Sequence, residues 1–238
     1  MADAGLTDPD RVLDRPVWSA LTGRQSALAI GGAKALRFAR EYGPFAASAD
    51  RSDVAALAGL IGNDAVSAEG HGDIWLVEKD AVTPPPGLVV VRSALCVQMV
   101  ATSVTPPTGS FDVQDLDDAD AADMLALATL TAPGPFAEKT HRLGGFVGIR
   151  ENGRLLAMAG ERMKPGPFTE ISGVCTQPDC RGRGYAGFLM RVVASRILAR
   201  NEKPFLHSYA TNAAAIALYQ SLGFAVHQSI TATVLRRV

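Results

Sequence analysis

The sequence predicts a mixed α/β fold, and three observations carry that prediction. In the second half of the chain, apolar segments typical of strands alternate with segments of helical periodicity. An Asn152-Gly153 pair between two apolar runs is typical of a β-hairpin turn. Residues 101–110 contain Pro106, Pro107 and small polar residues, which indicates a linker. We therefore expect a smaller α+β N-terminal domain at residues 1–100 and a second domain at residues 111–238.

Composition limits the function classes. The chain has 238 residues, is 47% hydrophobic and 20% charged, and carries a formal net charge of −1. It can bury a sizeable core, and its charge offers no general attraction for nucleic acid or anionic membranes. We therefore expect neither partner. The sequence lacks an apolar run of membrane-spanning length, and residues 1–15 lack an apolar signal core, so we expect no secretory signal. The sparse cysteines indicate a reducing, cytoplasmic location, and the four scattered histidines indicate no metal site.

The first half is predicted to contain short elements. A helix should begin at Pro16 and run to about residue 25. Residues 27–38 should form a hairpin that turns at Gly31-Gly32, and Ser52 should cap a helix over residues 53–61. Strands are expected at residues 74–77, 88–91 and 95–100, although the last of these could be helical.

The second half is predicted to alternate strands and helices. The expected strands lie at residues 111–114, 145–150, 155–162, 168–176, 205–209, 224–228 and 230–236. The expected helices lie at residues 119–130, 185–200 and 213–222. Asn212 can cap the last helix and Gly223 can end it.

A basic, glycine-rich loop precedes the long helix. Its sequence is Arg181-Gly182-Arg183-Gly184-Tyr185-Ala186, and it follows the strand at residues 168–176. The first amides of a helix lack intrahelical partners and carry the positive end of the helix dipole. Glycines allow phosphate close to the backbone, and arginines add permanent charge. The loop is therefore a candidate diphosphate site, although a solvated turn would also explain it.

Two motifs in the second half resemble the GNAT superfamily of acetyl-CoA-dependent N-acetyltransferases. Arg181-x-x-Gly184-x-Ala186 resembles the pyrophosphate loop of that family. The second motif begins at Asn212, passes through Tyr219 and ends at Gly223-Phe224. The resemblance implies a central twisted mixed sheet with helices on both faces. The division of the chain into two parts is similar to that of the amino-acid acyltransferase branch of the family, in which an N-terminal half carries a degenerate version of the fold.

The resemblance also implies a cofactor site for acetyl-CoA. In the family, the fourth strand splays from the fifth, and the gap receives coenzyme A. Strand residues 171–176 and 205–209 would form the two walls here. The backbone of Val174, Cys175 and Thr176 would bind the pantetheine arm, and the amides of Arg181, Gly182, Arg183, Gly184, Tyr185 and Ala186 would hold the diphosphate. The side chain of Asn212 could reach the pantetheine or cap its helix.

Tyr219 and Glu170 are the expected catalytic residues. The family motif places Tyr219 as the acid that protonates the leaving thiolate, although Tyr219 also lies on the apolar face of its helix. Glu170 would act through water as the general base; an exposed position, or a salt bridge to Arg162, would explain it equally. The Val174 amide is a candidate donor to the oxyanion. Cys175 has no evident histidine partner, so we expect direct transfer.

The resulting prediction is a cytoplasmic N-acetyltransferase that moves acetyl from acetyl-CoA to a primary amine of a small molecule or peptide. The alternative is a non-catalytic acyl-CoA-binding protein that keeps the loop and needs neither Glu170 nor Tyr219. A nucleic-acid-binding module is disfavoured because the chain lacks a basic run. Acceptor specificity is expected in the loops at residues 133–141 and 164–168.

Overall fold

The structure is a computed structural model, and it describes residues 9–50, 55–61, 72–107 and 109–238. Its centre is an eight-stranded mixed sheet in the order β4-β11-β5-β10-β9-β8-β7-β6. The strands are β4 (Ile74–Glu78), β5 (Leu88–Val100), β6 (Val113–Leu116), β7 (Phe146–Glu151), β8 (Arg154–Glu161), β9 (Phe168–Thr176), β10 (Lys203–Tyr209) and β11 (Ala225–Arg237). The pairing of β9 with β10 is parallel, and the other pairings in this sheet are antiparallel.

Helices cover both faces of the sheet, as predicted. They are α1 (Pro16–Leu21), α2 (Ala121–Thr131), α3 (Tyr185–Ala199) and α4 (Ala213–Leu222). The helix α3 packs through Leu189, Val193 and Ile197 against Val147 and other apolar side chains of the sheet. On the opposite face, α2 covers the end near β6 to β9, and α1 covers the part near β9 to β4. The sheet is therefore buried on two sides, which explains the long apolar runs in its strands.

A second, three-stranded sheet lies in the N-terminal part. It consists of β1 (Ala29–Gly32), β2 (Ala35–Phe38) and β3 (Ala46–Ser48) in antiparallel order. Phe45 joins it to the main sheet through a bridge to Trp75. Arg15 strengthens this junction with an ion pair to Glu78 and a hydrogen bond to the carbonyl of Ser48.

Several predicted elements are confirmed at their boundaries. The strand at 168–176 and the helix at 213–222 have the predicted limits. The hairpin turns at Asn152 and Gly153, whose φ values of 51° and 79° suit a two-residue turn. Asn212 caps α4 by accepting from the Ala215 amide, and Gly223 ends the helix at φ 108°.

Four local predictions were wrong. The N-terminal hairpin turns at residues 33–34, because Gly32 pairs with Ala35. Gly31 lies within the strand, where a Cβ would meet the Ala35 carbonyl oxygen at 2.3 Å. The expected breaks at residues 92–94 and at Ser229 also do not interrupt strands: β5 and β11 each run for 13 residues, with a register shift before Gln228. The predicted cap Ser52 lies outside the described residues, and the predicted helix has a 3₁₀ turn at Ala55–Leu60.

The described residues of the predicted linker, 101–107, 109 and 110, have no regular secondary structure, but the main sheet takes strands from both sides of it. β5 precedes the linker and lies between β10 and β11, which follow it. β4 pairs with β11 at the edge. The division into domains at 1–100 and 111–238 stays a prediction about folding units. Among the described residues, none of the helices is long and apolar enough to cross a membrane.

Candidate active site

The candidate site lies where β9 and β10 separate. The two strands pair only over three residues, and the last pair is Phe205 with Glu170. Beyond that pair, β10 continues beside β5 and β9 continues beside β8. The edge of β9 from Ile171 to Thr176 therefore faces a gap instead of a neighbouring strand. An unpaired edge of this kind offers backbone donors and acceptors to a ligand.

A β-bulge at Gly173 redirects the chain at this edge. Met158 and Gly160 of β8 are two residues apart, whereas their partners Cys175 and Ser172 are three apart. Gly173 has φ 64°, and a Cβ there would meet the Phe146 ring at 2.8 Å. The bulge breaks the alternation of β9, so that Ile171 and Val174 both pack toward α3. Sequence reasoning missed this feature, although a glycine inside a predicted strand is its known signal.

The glycine-rich loop has the geometry of an anion site. Gly182 and Gly184 have φ values of 80° and 85°, and no atom lies within 4 Å of a Cβ built on either. The Phe188 amide makes a 3.1 Å bond to the Gly184 carbonyl, so the preceding amides lie at the open helix end. Within the described parts of the chain, Arg181 and Arg183 form no ion pair. Their charge is available at the positive end of α3.

An open groove of about 570 Å³ connects this loop to the gap in the sheet. Six of the predicted cofactor residues line it: Val174, Cys175, Thr176, Arg181, Gly182 and Ala186. The opposite side comes from α4, through Ala214, Ala215 and Leu218. Arg183, Gly184 and Tyr185 line neither this groove nor the cavity described next. The ring of Tyr185 instead packs edge-on against Phe111, with centroids 5.0 Å apart.

A smaller cavity of about 150 Å³ adjoins the groove. Val174 and Pro133 line both spaces, so they mark the junction. The predicted residues Glu170, Asn212 and Tyr219 all line the cavity. The Asn212 Oδ1 atom is used in the helix cap, accepting from Ala215 at 3.2 Å.

Tyr219 extends from α4 into this cavity. Burial raises the pKa of its hydroxyl. The hydroxyl has no hydrogen-bond partner among the residues the structure describes, so it is a proton donor without a competing acceptor there. Its ring also packs against the α3 side of the core, as the sequence alternative anticipated.

Glu170 is buried and fully bonded. Its side chain is 1% exposed, and Arg162 donates to both carboxylate oxygens at 2.8 and 2.7 Å. His207 lies 2.8 Å from one oxygen, and the Met163 amide donates to the other at 3.3 Å. Burial alone would raise the pKa of Glu170, but the charge and hydrogen bonds of Arg162, aided by His207, hold it well below its usual range. A carboxylate in this state is a weak base, which counts against the predicted role.

A chain of amides fixes the ring of His207. The Gln98 Oε1 atom accepts from Gln228 at 3.0 Å, and the Gln98 Nε2 atom donates to the Leu13 carbonyl at 3.2 Å. The same Nε2 atom lies 3.0 Å from Nε2 of His207, which must therefore accept. This assignment places the ring proton on Nδ1, where it donates to Glu170. Both ring nitrogens of His207 are thus bonded, and sequence reasoning did not anticipate this residue.

The N-terminal part supplies one wall of the cavity. Phe45, Trp75, Val77 and Cys96 line it. Of the loops predicted to set acceptor specificity, Pro133, Gly134 and Pro135 line the cavity, whereas residues 164–168 do not. Phe168 instead packs in the core against Phe205, with ring centroids 6.2 Å apart. Contacts between segments this distant in sequence leave no local pattern, so sequence reasoning could not find them.

Known proteins and solved structures resemble this chain in sequence and in fold. A family model described as FR47-like protein matches residues 146–233. A GNAT-family protein from Novosphingobium aromaticivorans is 46% identical, with a TM-score of 0.87; the match covers 95% of this chain and 99% of that one. A GCN5-related N-acetyltransferase from Kribbella flavida is 17% identical with a TM-score of 0.58, over 98% of this chain and 96% of that one. No curated protein matches the sequence.

The level of identity decides what each likeness shows. The Kribbella flavida structure shares the fold, including the part before the predicted linker. The 46% identity to the Novosphingobium aromaticivorans protein, over nearly the whole length of both chains, also shows membership of the same family. The glycine-rich loop, the splayed strands and the α4 motif of this chain agree with it. This chain therefore belongs to the GNAT family and is an acetyltransferase.

Proposed function

We propose that this enzyme transfers the acetyl group of acetyl-CoA directly to a primary amine while both substrates are bound. The observation that carries the proposal is the junction at Val174. There, the groove lined by the glycine-rich loop meets a cavity lined by Tyr219. Coenzyme A in the groove would place its thioester at the junction, and the amine would approach from the cavity. Holding both reactants in contact lowers the entropic part of the barrier.

The residues at the junction suit the chemistry of acyl transfer. The amine nitrogen forms a bond to the thioester carbon, and the carbonyl oxygen becomes an oxyanion. The Val174 amide, at the unpaired edge of β9, is the proposed donor to that oxyanion. The carbon–sulfur bond then breaks, and the Tyr219 hydroxyl donates a proton to the departing thiolate. The amine loses its own proton to water, and water returns a proton to the Tyr219 phenolate, so the product is a neutral amide and the enzyme is regenerated.

A covalent acetyl-cysteine intermediate is disfavoured by the setting of Cys175. Burial raises the pKa of its thiol to about 11, so the thiolate is scarce at neutral pH. Its side chain packs on the α2 side with Phe146 and Met158. The thiol also lies 3.3 Å from the Gly173 carbonyl, which can only accept. Direct transfer does not require the Cys175 thiol to be deprotonated or exposed.

Glu170 has a different proposed role from the one its position in sequence suggested. The base assignment stays a prediction, and the four donors around the carboxylate count against it. We assign Glu170 to positioning: it holds Arg162 and His207 along one wall of the cavity. The amine then enters from solution as the free base. The rate should therefore rise with pH in proportion to the fraction of the acceptor amine that is deprotonated.

The substitution Tyr219→Phe tests the proposed acid. It removes one hydroxyl and keeps the ring that packs against the core. We expect the turnover number to fall about 10- to 1000-fold, while the Kd for acetyl-CoA stays within about threefold. Steady-state turnover and calorimetric titration measure the two quantities, and melting curves control for misfolding. Full turnover in this variant would remove Tyr219 from the mechanism.

A further inference from the structure

We propose that the acceptor carries a carboxylate and that Arg92 binds it at the mouth of the cavity. The inference rests on the proposed function, because it names the class of amine that the same cavity accepts. Arg92 is an exposed residue of β5, a strand in the N-terminal part of the chain. Neither of the two motifs that identify the family includes it.

Two aromatic side chains of the cavity wall hold the guanidinium in place. The Arg92 Cζ atom lies 5.2 Å from the Tyr209 ring centroid and 5.8 Å from that of Trp75. Its Nη2 atom also donates to the Tyr209 hydroxyl at 2.9 Å. Trp75 and Tyr209 both line the cavity. Stacking on two rings restricts a side chain that would otherwise sample many rotamers, so the charge has a defined position.

The sheet register explains this placement. Val234 of β11 pairs with Trp75 on one side and with Arg92 on the other. Cys96, four residues further along β5, pairs with Tyr209 of β10 and also lines the cavity. Side chains at positions that alternate along a strand share one face. Arg92 therefore lies on the same face of the sheet as the cavity, beyond Tyr209 at the end of the sheet where β9 and β10 also finish.

The balance of charge gives the sign of the ligand. Inside the cavity, Arg162 and Glu170 form an ion pair through two hydrogen bonds, so their charges neutralise each other. In the described ranges, Arg92 has no carboxylate within ion-pair distance, and its Nε and Nη1 atoms bond to no side chain or carbonyl there. Arg92 does not line the cavity itself, but it places this unpaired positive charge beside Trp75 and Tyr209, which do. The charge favours an anionic group on the ligand.

The number and shape of the donors favour a carboxylate over a phosphate. Nη2 carries two hydrogens and gives one to Tyr209, so one edge of the planar guanidinium still offers two parallel donors for the two oxygens of a carboxylate. A dianionic phosphate would be better matched by several cations, whereas Trp75 and Tyr209 hold a single guanidinium here. Trp75 and Phe45 add apolar surface beside the charge. An amino acid, or an amine with a carboxylate further away, fits this arrangement.

The test compares matched acceptors. Initial rates are measured with amines that carry a carboxylate at increasing distance: glycine, β-alanine, 4-aminobutyrate, 6-aminohexanoate and the side-chain-bearing amino acids. Each is paired with its carboxamide. The variants are Arg92→Gln, which removes the charge, and Arg92→Lys, which keeps a charge without the planar fork. For each acceptor, the rate of the variant is divided by the rate of the wild type. The amine pKa is the same in both measurements, so the difference in amine pKa between a carboxylate and its carboxamide does not affect the comparison.

The expected result is selective. Arg92→Gln should raise KM for the best carboxylate acceptors about 10- to 100-fold, and Arg92→Lys should raise it less. Carboxamide acceptors should change less than about threefold, and the KM for acetyl-CoA should not change. Equal effects on carboxylates and carboxamides would overturn the inference while leaving the proposed acetyl transfer intact. The absence of transfer to every amine would instead contradict the proposed function.

A binding measurement keeps the inference testable without turnover. The N-acetylated forms of the same acceptors, and their carboxamides, are added to the full chain with coenzyme A, and melting temperatures are recorded. Stabilisation by the carboxylates that disappears in Arg92→Gln supports the inference. Equal stabilisation by both series, or none by either, overturns it.

Discussion

At the scale of single residues, the burial of an ionisable group decides what it can do. Glu170 lies where the family resemblance expects a base, but its carboxylate accepts four hydrogen bonds. The sequence alternative of a salt bridge to Arg162 describes the observed contact. His207 completes this group from a strand 37 residues later. No local spacing links His207 to Glu170, so the sequence could suggest the pair of Glu170 with Arg162 but not this further partner.

Replacing Glu170 with glutamine tests the positioning role. At neutral pH the buried Arg162 charge would lose its partner, and we expect the free energy of unfolding to fall by about 3–5 kcal/mol. The folded pKa of Glu170 is lowered, so its stabilisation is present above the unfolded pKa of about 4.3 and is lost as pH falls below that value. The difference between wild type and variant should therefore shrink in acid. Denaturant titrations at several pH values measure it.

The pH dependence of turnover separates the two roles of Glu170. If the residue positions Arg162 and His207, the loss of turnover in Glu170→Gln should be the same from about pH 7 to pH 9.5. If it is a base, activity should recover at high pH, where the acceptor is already deprotonated. Arg162→Lys, which keeps a cation beside the carboxylate, is the matched control. Recovery in Glu170→Gln alone would restore the base assignment.

At the scale of elements, local signals predicted the site better than its surroundings. The strand β9, the hairpin at Asn152-Gly153 and the helix α4 follow from periodicity, turn residues and caps. The turn was wrongly predicted at Gly31-Gly32. In the structure Gly31 lies in a strand, where its lack of a side chain allows the Ala35 carbonyl close to its backbone, and the sequence alone does not distinguish such a glycine from a turn glycine. The polar residues near Arg92 look like a break, but they belong to a strand exposed to solvent.

The loop before α3 gives a prediction with a matched control. Gly184 has φ 85° and open space around a Cβ, so the variants Gly184→Asp and Gly184→Asn should be similarly strained. They have nearly the same shape and differ in charge. We expect acetyl-CoA to bind about 10- to 100-fold more weakly to Gly184→Asp than to Gly184→Asn, because only the carboxylate opposes the diphosphate. Calorimetric titration measures both, and equal affinities would exclude a diphosphate beside Gly184.

At the scale of the whole molecule, the chain before the linker is part of the main sheet and of the cavity. β5 separates β10 from β11, and Phe45 and Trp75 form a wall of the cavity. The family motifs all lie after the linker, so sequence reasoning placed the site there and left the first half without a role. The packing of α1 residues Val17 and Leu21 against Phe168 and Phe205 shows how closely the two halves depend on each other.

Removing residues 1–110 tests how far the domain division holds. The fragment 111–238 would lack β5, which would leave β10 and β11 without their shared neighbour and expose Phe205. We expect it to show no cooperative thermal transition and no measurable affinity for acetyl-CoA. Calorimetry with the full chain as control measures both. A fragment that melts cooperatively and binds acetyl-CoA as the full chain does would establish residues 111–238 as an independent domain.

The central claim is that the groove and the cavity meet at Val174, so that acetyl passes directly between two bound substrates. Initial rates measured while acetyl-CoA and the amine are both varied test it most directly, with the best acceptor found in the carboxylate series. Direct transfer should give double-reciprocal lines that intersect, as a ternary complex requires. Parallel lines, together with an acetylated enzyme isolated in the absence of amine, would contradict direct transfer.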